Sequence, residues 1–350
     1  MPKRGGVIRA VLAAILFGVS TPASKALLAS ISPQLLAGLL YLGSGLGLGS
    51  LWFARRASKQ HVEAPLTRVD LPWLAGAVVF GGVLAPFALL TGLSHTPASA
   101  SSLLLNLEGV FTALIAWIVF RENVDRRIAL GMLSIVTGGA LLSWSGRFAW
   151  GGMFGPVLIA LACLFWGIDN NLSQKVAAKD PVQISAIKGF TAGVVNLVLG
   201  LAAGGIAPRA SYVAGALIVG FLSYGLSLVL YVLAMRDLGT ARTGAYFSLA
   251  PFVGAAAGLL VWPERITAAF VIAGGLMALG LLLHLTERHD HLHTHEPITH
   301  THRHIHDEHH QHQHGAGQDS EAPHSHEHTH ERLVHSHEHY PDVHHRHTHN

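Results

Sequence analysis

"LAAILFGVSTPASK" (Leu12–Lys25) returns, with changes, as "LACLFWGIDNNLSQK" (Leu161–Lys175) in the second half of the chain. Each copy runs from an apolar stretch through a glycine into small polar residues and closes on a lysine. The match is not isolated. "LEGVF" (Leu107–Phe111) aligns with "LAPFV" (Leu249–Val253), and Glu122 with Glu264, both 142 positions apart. Apolar composition produces apolar matches by accident, but not glycines and charges at a shared spacing. The sequence therefore reads as two copies of one unit, and the fold of that unit follows from what lies between these landmarks.

What lies between them is apolar sequence of membrane-spanning length. Half of the 350 residues are hydrophobic and 12% are charged, about half the charged share of a soluble globular domain. Ten runs stand out, numbered here as segments 1 to 10: Val7–Ala29, Pro33–Ala54, Leu71–Leu93, Ala98–Phe120, Ile128–Trp144, Gly151–Leu172, Val182–Gly204, Tyr212–Met235, Thr243–Trp262 and Ala268–Leu285. A hydrocarbon core offers no partner to an unpaired backbone group, so such runs must be helices, and the alternation of a barrel strand is absent. The expected fold is an all-α integral membrane protein with ten transmembrane helices. Residues 7–144 make one repeat and residues 151–285 the other. The N-terminal "PKRGGVIRAVLAAILFGV" resembles a secretory leader but has no clear cleavage site, and reads as segment 1. Five helices per copy reverse the direction of the second copy. That gives inverted repeats, with a substrate path expected between the halves near mid-membrane.

Loop charge sets the orientation. With the N-terminus cytoplasmic, fourteen Lys and Arg residues, from Lys3 and Arg4 to Arg236 and Arg242, lie at inner ends. Only Lys25, Arg147, Arg209 and Arg265 lie at outer ends. This positive-inside bias predicts a bacterial-type inner-membrane protein with both termini cytoplasmic. The single cysteine, Cys163, allows no intramolecular disulfide and no Cys-based zinc site.

The five-plus-five repeat, "FGVSTPASK" in segment 1, "WGIDNNLSQK" in segment 6 and the acidic turns "FREN" and "WPER" together resemble EamA-type members of the drug/metabolite transporter superfamily, over roughly Val7–Leu285. The resemblance implies a secondary carrier, often an exporter, working without ATP hydrolysis on amino acids, nucleotide precursors, sugars or drugs. In keeping with this, no G-x-x-x-x-G-K-[ST] phosphate loop occurs. The family often places proline after a small or acidic residue, as Pro251 follows Ala250 in segment 9. In segment 4 the sequence departs from that pattern, and Gly109 follows Glu108.

Glu108 is the leading candidate for transport chemistry. On a helical wheel Ser101, Leu105, Glu108, Thr112 and Ala116 share one stripe, flanked by Ser102, Asn106, Gly109 and Ala113. A carboxylate at this depth costs on the order of a few kcal/mol unless paired, hydrated or protonated, so it should face the bundle interior. It is a candidate for proton coupling or for holding a substrate amine; the plainer reading is a protonated acid bonded to a neighbouring helix. Ser101, Asn106 and Thr112 join it on the expected pathway. Segment 6 adds Asp169, Asn170, Asn171 and Ser173, and the related part of segment 1 adds Ser20, Thr21, Pro22 and Ser24. Pro22 lacks a backbone donor and can open its helix, freeing carbonyls for a ligand. Asp169 reads equally as a pathway residue or as an interfacial one paired with Lys175. Lys25, Lys175 and Lys188 are expected to snorkel, Lys188 with the further option of neutralising an anion. The pairs Gly43/Gly47, Gly45/Gly49 and Gly189/Gly193 read as close helix packing. Glu122 and Glu264 read as local turn residues.

Residues 286–350 are different in kind. They hold 23 of the 26 histidines, most of them spaced His-x-His. Imidazole ligates zinc, nickel and cobalt well and is mostly neutral, hence able to bind, at cytosolic pH. The candidate ligands are His300, His302, His304, His306, His309, His310, His312, His314, His324, His326, His328, His330, His335, His337 and His339. With almost no apolar content the tail is expected to be disordered and its metal binding heterogeneous. Zn2+, Ni2+ and Co2+ are the ions it would take, while the carrier itself requires no cofactor.

The sequence thus points to a secondary-active carrier, not an enzyme, exporting a small amino-acid-like or drug-like metabolite, with a metal-binding cytosolic tail. Two other readings stand beside it. One is a divalent Zn, Ni or Co exporter fed by the tail, and the other a membrane-anchored metal sensor without transport. The expected partners are the lipid bilayer, the solute and transition-metal ions at the tail, with no nucleic acid.

Overall fold

A computed structural model describes residues 4–57, 66–120, 126–143, 150–176, 179–238, 240–285, 289–295, 298–304, 324–330 and 333–339. Among these, helices occupy every one of the ten apolar segments. Segment 1 is α1 (Arg4–Gly18) and α2 (Ser20–Leu27), and segment 2 is α3 (Pro33–Ala57). Segment 3 is α4 (Leu71–Ala77) and α5 (Ala85–Ser94), and segment 4 is α6 (Ala98–Leu104) and α7 (Leu107–Phe120). Segments 5, 6 and 7 are α8 (Arg126–Ser143), α9 (Trp150–Ser173) and α10 (Pro181–Ala202). Segment 8 is α11 (Ala210–Val219) and α12 (Ser227–Leu238), segment 9 is α13 (Thr240–Phe247) and α14 (Ala250–Val261), and segment 10 is α15 (Ala268–Leu285). Among the described residues seven helical runs are long and apolar enough to cross a membrane, and α14 and α15 add shorter apolar helices. Large apolar side chains such as Ile118, Val198, Leu260 and Leu282 face outward, as they must where the surrounding solvent is lipid.

The pairing of segments repeats with the halves exchanged. The most extensive interface joins α3 to α10, and the next joins α8 to α15. The first helix of each half packs on the third segment of the other: α1 on α12, and α9 on α5. Glycine makes the α3–α10 seam. A Cβ on Gly189 would lie 2.8 Å from the Gly45 amide nitrogen, and one on Gly193 2.6 Å from that of Leu42. Backbones meet there directly, as the small-xxx-small spacing led us to expect.

The interruptions repeat as well. Segments 3 and 8 each contain one wide π-helical turn, Val78–Leu84 and Gly220–Leu226, 142 positions apart. Segments 4 and 9 break at corresponding places, after Leu104 and after Phe247. Proline explains segment 9, because the Pro251 ring cannot sit over the carbonyl four residues earlier, that of Phe247. Segment 4 has no proline, and its break has another cause. The Asn106 side chain donates to the Leu103 carbonyl at 2.8 Å, competing with the backbone ladder as a short amide does well. Segment 1 breaks at Val19, three residues before Pro22.

We call the end of the bundle where α1 begins the near end, and the opposite one the far end. Segments 3 and 7 start at the near end on firm caps. Thr67 donates its amide and hydroxyl to Asp70 Oδ2, both at 2.7 Å, and Asp180 accepts from the amides of Val182 and Gln183 at 2.9 and 3.3 Å, with Pro181 first in the helix.

The tail differs from the disordered chain expected of it. Strand β1 (His289–His295) pairs antiparallel with β4 (Leu333–His339), and β2 (Ile298–His304) with β3 (His324–His330). The His-x-His spacing that reads as a ligand run is also the two-residue period of a strand, so the pairing sets histidines opposite histidines, as at His291/His337 and His302/His326. His306, His309, His310, His312 and His314 lie outside the described residues, as does Glu122.

Candidate substrate site

Segments 4 and 6 cross near mid-bundle because Gly167 lets them. A Cβ there would lie 3.0 Å from both Phe111 Cβ and the Thr112 amide. At this crossing Asn170 Nδ2 donates to Glu108 Oε1 at 2.9 Å and to Thr112 Oγ1 at 3.1 Å. The Thr112 hydroxyl in turn donates to the Glu108 carbonyl at 2.8 Å. Asn171 Nδ2 donates to the Gly167 and Thr112 carbonyls at 2.8 and 3.2 Å, stitching the two helices together. Glu108 is half-buried while Asn170 and Gly109 are exposed. The carboxylate therefore has one protein partner and one open side.

One residue away on α9 the chemistry is closed. Lys188 of α10 donates to Asp169 Oδ2, and Ser173 donates to Asp169 Oδ1 at 2.9 Å. The Asp169 carboxylate lies so close to Gly81 that no Cβ fits there. The Gly81 carbonyl, inside the wide turn of segment 3, accepts from the Tyr41 hydroxyl at 2.6 Å and from Trp166 Nε1 at 3.1 Å. Asn196 donates to the Gly82 carbonyl at 2.8 Å. Such turns leave carbonyls out of register with the helical ladder, and side chains from segments 2, 6 and 7 take them.

Aromatic rings complete the surroundings. Phe17 stacks near Tyr224 and Phe247 (centroids 5.9 and 5.4 Å), Tyr231 near Phe247 (4.9 Å) and Tyr41 near Tyr224 (5.6 Å). The Glu108 carboxyl is close enough to act electrostatically on Tyr41, Tyr224 and Tyr231. A polar wall from segments 4 and 6 and an aromatic wall from segments 1, 2, 8 and 9 thus share one region.

The structure brings together Glu108, Thr112, Asn170 and Asn171, with Asp169 beside them. It does not bring the other sequence candidates to that cluster. Asn106 serves the segment 4 break and lies 3.9 Å from Met277 Sδ. Ser101 donates to its own helix, to the Pro97 carbonyl at 2.8 Å. Ser20, Thr21, Pro22 and Ser24 are buried in α2, which packs on α5, α6, α11 and α14. Asp169 pairs with Lys188 and not with Lys175, the partner in its interfacial reading, whose ammonium lies 5.8 Å from the Trp73 ring centroid. Lys25 does not simply snorkel; it donates to three main-chain carbonyls at the far end. Tyr41, Trp166 and Gly81 were missed. The one available signal was the adjacent Gly81–Gly82 pair in the middle of an apolar segment. Among the described residues no group of three or more His, Cys, Asp or Glu is placed to hold a metal ion.

The sequence pattern of the EamA-like transporter family matches residues 4–144 and again residues 153–286. The chain belongs to that family. It is a multi-pass membrane transporter, and the double match follows the repeat. An "Uncharacterized transporter" of Methanothermobacter thermautotrophicus is 30% identical over 303 residues, covering 81% of this chain and 87% of its own. A "Probable terminal-alkyne amino-acid exporter" of Streptantibioticus cattleyicolor is 26% identical over 255 residues, 70% of this chain and 82% of its own. A solved crystal structure superposes with a TM-score of 0.58 at 17% identity, covering 80% of this chain and 95% of that one, which speaks for the fold alone.

Proposed function

We propose that this EamA-family transporter is a secondary-active exporter of small organic metabolites that carry an amine and an apolar part, amino-acid-like in chemistry. In our reading ten crossings place both termini in the cytoplasm of an inner membrane, with the near end facing inward. The observation that carries the reading is Glu108. A carboxylate at mid-bundle holds one hydrogen bond from Asn170, presents an open side, and lies near several aromatic rings. One carboxylate among neutral amides suits an ammonium group, and the rings suit the apolar remainder or the cation itself. The Asp169–Lys188 pair beside it is the natural place for a substrate carboxylate to compete. The family membership and the amino-acid exporter among the relatives support this solute class. Glu108 then binds either the amine or a proton, which couples export to the proton gradient. The tail binds Zn2+, Ni2+ or Co2+ and tunes the carrier.

The test is efflux from proteoliposomes loaded with a panel of amino acids, amines and divalent metals, with the intact chain and with Glu108→Gln. We expect amine-bearing solutes to leave, and proton-driven efflux to be lost in Glu108→Gln. Solute-for-solute exchange should persist if Glu108 carries the proton and fail if it holds the amine. Efflux of a divalent metal alone, insensitive to Glu108→Gln, would replace this reading with the metal exporter.

A further inference from the structure

The far end of the bundle is shut by two sets of contacts, one within the first half and one that joins the second half to it. Lys25 of α2 donates to the carbonyls of Leu93, Ser94 (3.4 Å) and Thr96 (2.9 Å), where segment 3 ends. Glu264, between segments 9 and 10, accepts from the amides of Ala98 (2.9 Å) and Ser99 (3.3 Å) and from the Ser99 hydroxyl, where segment 4 begins. A cation thus sits on carbonyls at one helix's C-terminus and a carboxylate on amides at the next helix's N-terminus, each where a helix end favours that charge. The Glu264 tie spans 166 positions and joins the second half of the chain to the first.

Burial agrees with a shut far end. Ser20, Ser24, Ser99, Ser101 and Ser102 are each 3% exposed or less. Ser102 is pressed against Gly254, where a Cβ would come within 2.7 Å of its hydroxyl. The repeat identifies the near-end counterpart of that seam: 142 positions relate Ser102 to Gly244 and Thr112 to Gly254. There the corresponding pair is apart. A Cβ on Gly244 meets nothing within 4 Å, and Thr112 is half-buried beside the open side of Glu108. One seam is closed and its counterpart is open.

We propose that Lys25 and Glu264 form a latch that holds the far end shut while the site is open to the near end, and that its release is coupled to closure of Gly244 onto Thr112. The inference rests on the protein acting as a carrier, but not on the solute's identity. Lys25 and Glu264 lie at the far end, apart from the Glu108 cluster, so they act on access and not on binding chemistry. The latched turn also carries an opposing cost: the Thr96 hydroxyl is buried without a partner, and opening would hydrate it. A balance of this kind lets a gate move in both directions.

The experiment reads access without needing a substrate. In a Cys163→Ala background, Ser102→Cys is placed in the far seam and the purified carrier in nanodiscs is reacted with a maleimide. Ser102→Cys should label slowly. Adding Lys25→Gln or Glu264→Gln should speed labelling about five-fold, the population change that losing one capping interaction produces. Glu264→Gln keeps an acceptor oxygen on the turn and so remains informative if Lys25→Gln does not fold. Adding Gly244→Leu, which fits the open near seam but blocks its closure, should return labelling to the slow rate. Equal rates with and without the latch residues would overturn the latch. Fast labelling that persists with Gly244→Leu would overturn the coupling. Either result leaves the solute reading standing, and absence of efflux from proteoliposomes leaves the latch standing.

Discussion

Segments 6 and 4 cross in the same way as segments 1 and 9, yet only one crossing carries a charge. Gly167 faces Phe111 Cβ at 3.0 Å, and its counterpart Gly18 faces Val253 Cβ at 3.0 Å. The backbone arrangement is common to both, down to the glycine that permits it. The side chains are not. Where segment 6 has Asp169, Asn170 and Asn171, segment 1 has Ser20, Thr21 and Pro22, and where segment 4 has Glu108, segment 9 has Ala250. Duplication gives two equivalent crossings, and substitution gives one of them the chemistry. A symmetric scaffold lets the two halves exchange roles at the ends of the bundle, while an asymmetric centre gives a single solute a single set of partners.

The comparison breaks first at Asp169. Its partner Lys188 has no charged counterpart, since segment 2 (Pro33–Ala54) contains no charged residue. Removing one member of a buried pair leaves the other uncompensated, at about 3–5 kcal/mol. Lys188→Met should therefore lose most of the folded protein in thermal unfolding monitored by size exclusion. Asp169→Asn with Lys188→Met should recover part of it. A single variant as stable as the parent would show that the charges are hydrated and the crossing less special than described.

A smaller effect separates the crossings themselves. Gly167→Val and Gly18→Val each insert bulk where backbones meet, and overpacking of this kind costs about 1–3 kcal/mol. Their stability losses should be similar, because the scaffold is shared. Binding of solute, followed by thermal shift, should suffer only in Gly167→Val. Equal loss of binding would place the site on both crossings.

The smallest effect on the fold should come from the tail. Truncation after Thr286 removes 23 histidines and should leave the melting temperature unchanged while abolishing zinc and nickel binding in calorimetry. In the intact chain that binding should fall as pH drops below about 6, since protonated imidazoles lose their donor lone pair. Tail-dependent melting would mean that the tail packs on the bundle.

Much of the scaffold is legible in the sequence because lipid imposes a simple rule: long apolar runs must be helices. The glycine spacing in segments 2 and 7 reads correctly at Gly43, Gly45, Gly47, Gly189 and Gly193 for a related reason, since close approach depends on residue size, but a Cβ on Gly49 would meet nothing within 4 Å. The candidate site is legible only where charge is anomalous. Glu108 and Asp169 announce themselves by cost. Their partners do not, because which lysine reaches Asp169 depends on the rotation of α10 against α9. Lys25 and Glu264 carry the same limitation. Each looks like an ordinary end-of-helix charge, and its meaning lies in a turn far away in the chain. Asn106 shows the opposite error, a polar residue on the right face whose side chain is occupied by its own backbone.

The wide turn at Val78–Leu84 has a consequence for how this chain tolerates change. A π-helical turn takes up one residue more than an α-helical one, and each residue of helix corresponds to a rotation of about 100°. Losing a single residue there would restore a regular helix and leave α4 where it is. Because the wide turn absorbs its extra residue within one turn, the part beyond would keep its face, and Leu90 and Leu93, now 1% and 0% exposed, would stay in the core. Segment 3, and segment 8 by the same reasoning, should therefore accept a one-residue deletion inside the wide turn more readily than elsewhere in the helix, and in segment 3 its cost would be the displaced carbonyls of Gly81 and Gly82 that Tyr41, Trp166 and Asn196 now take.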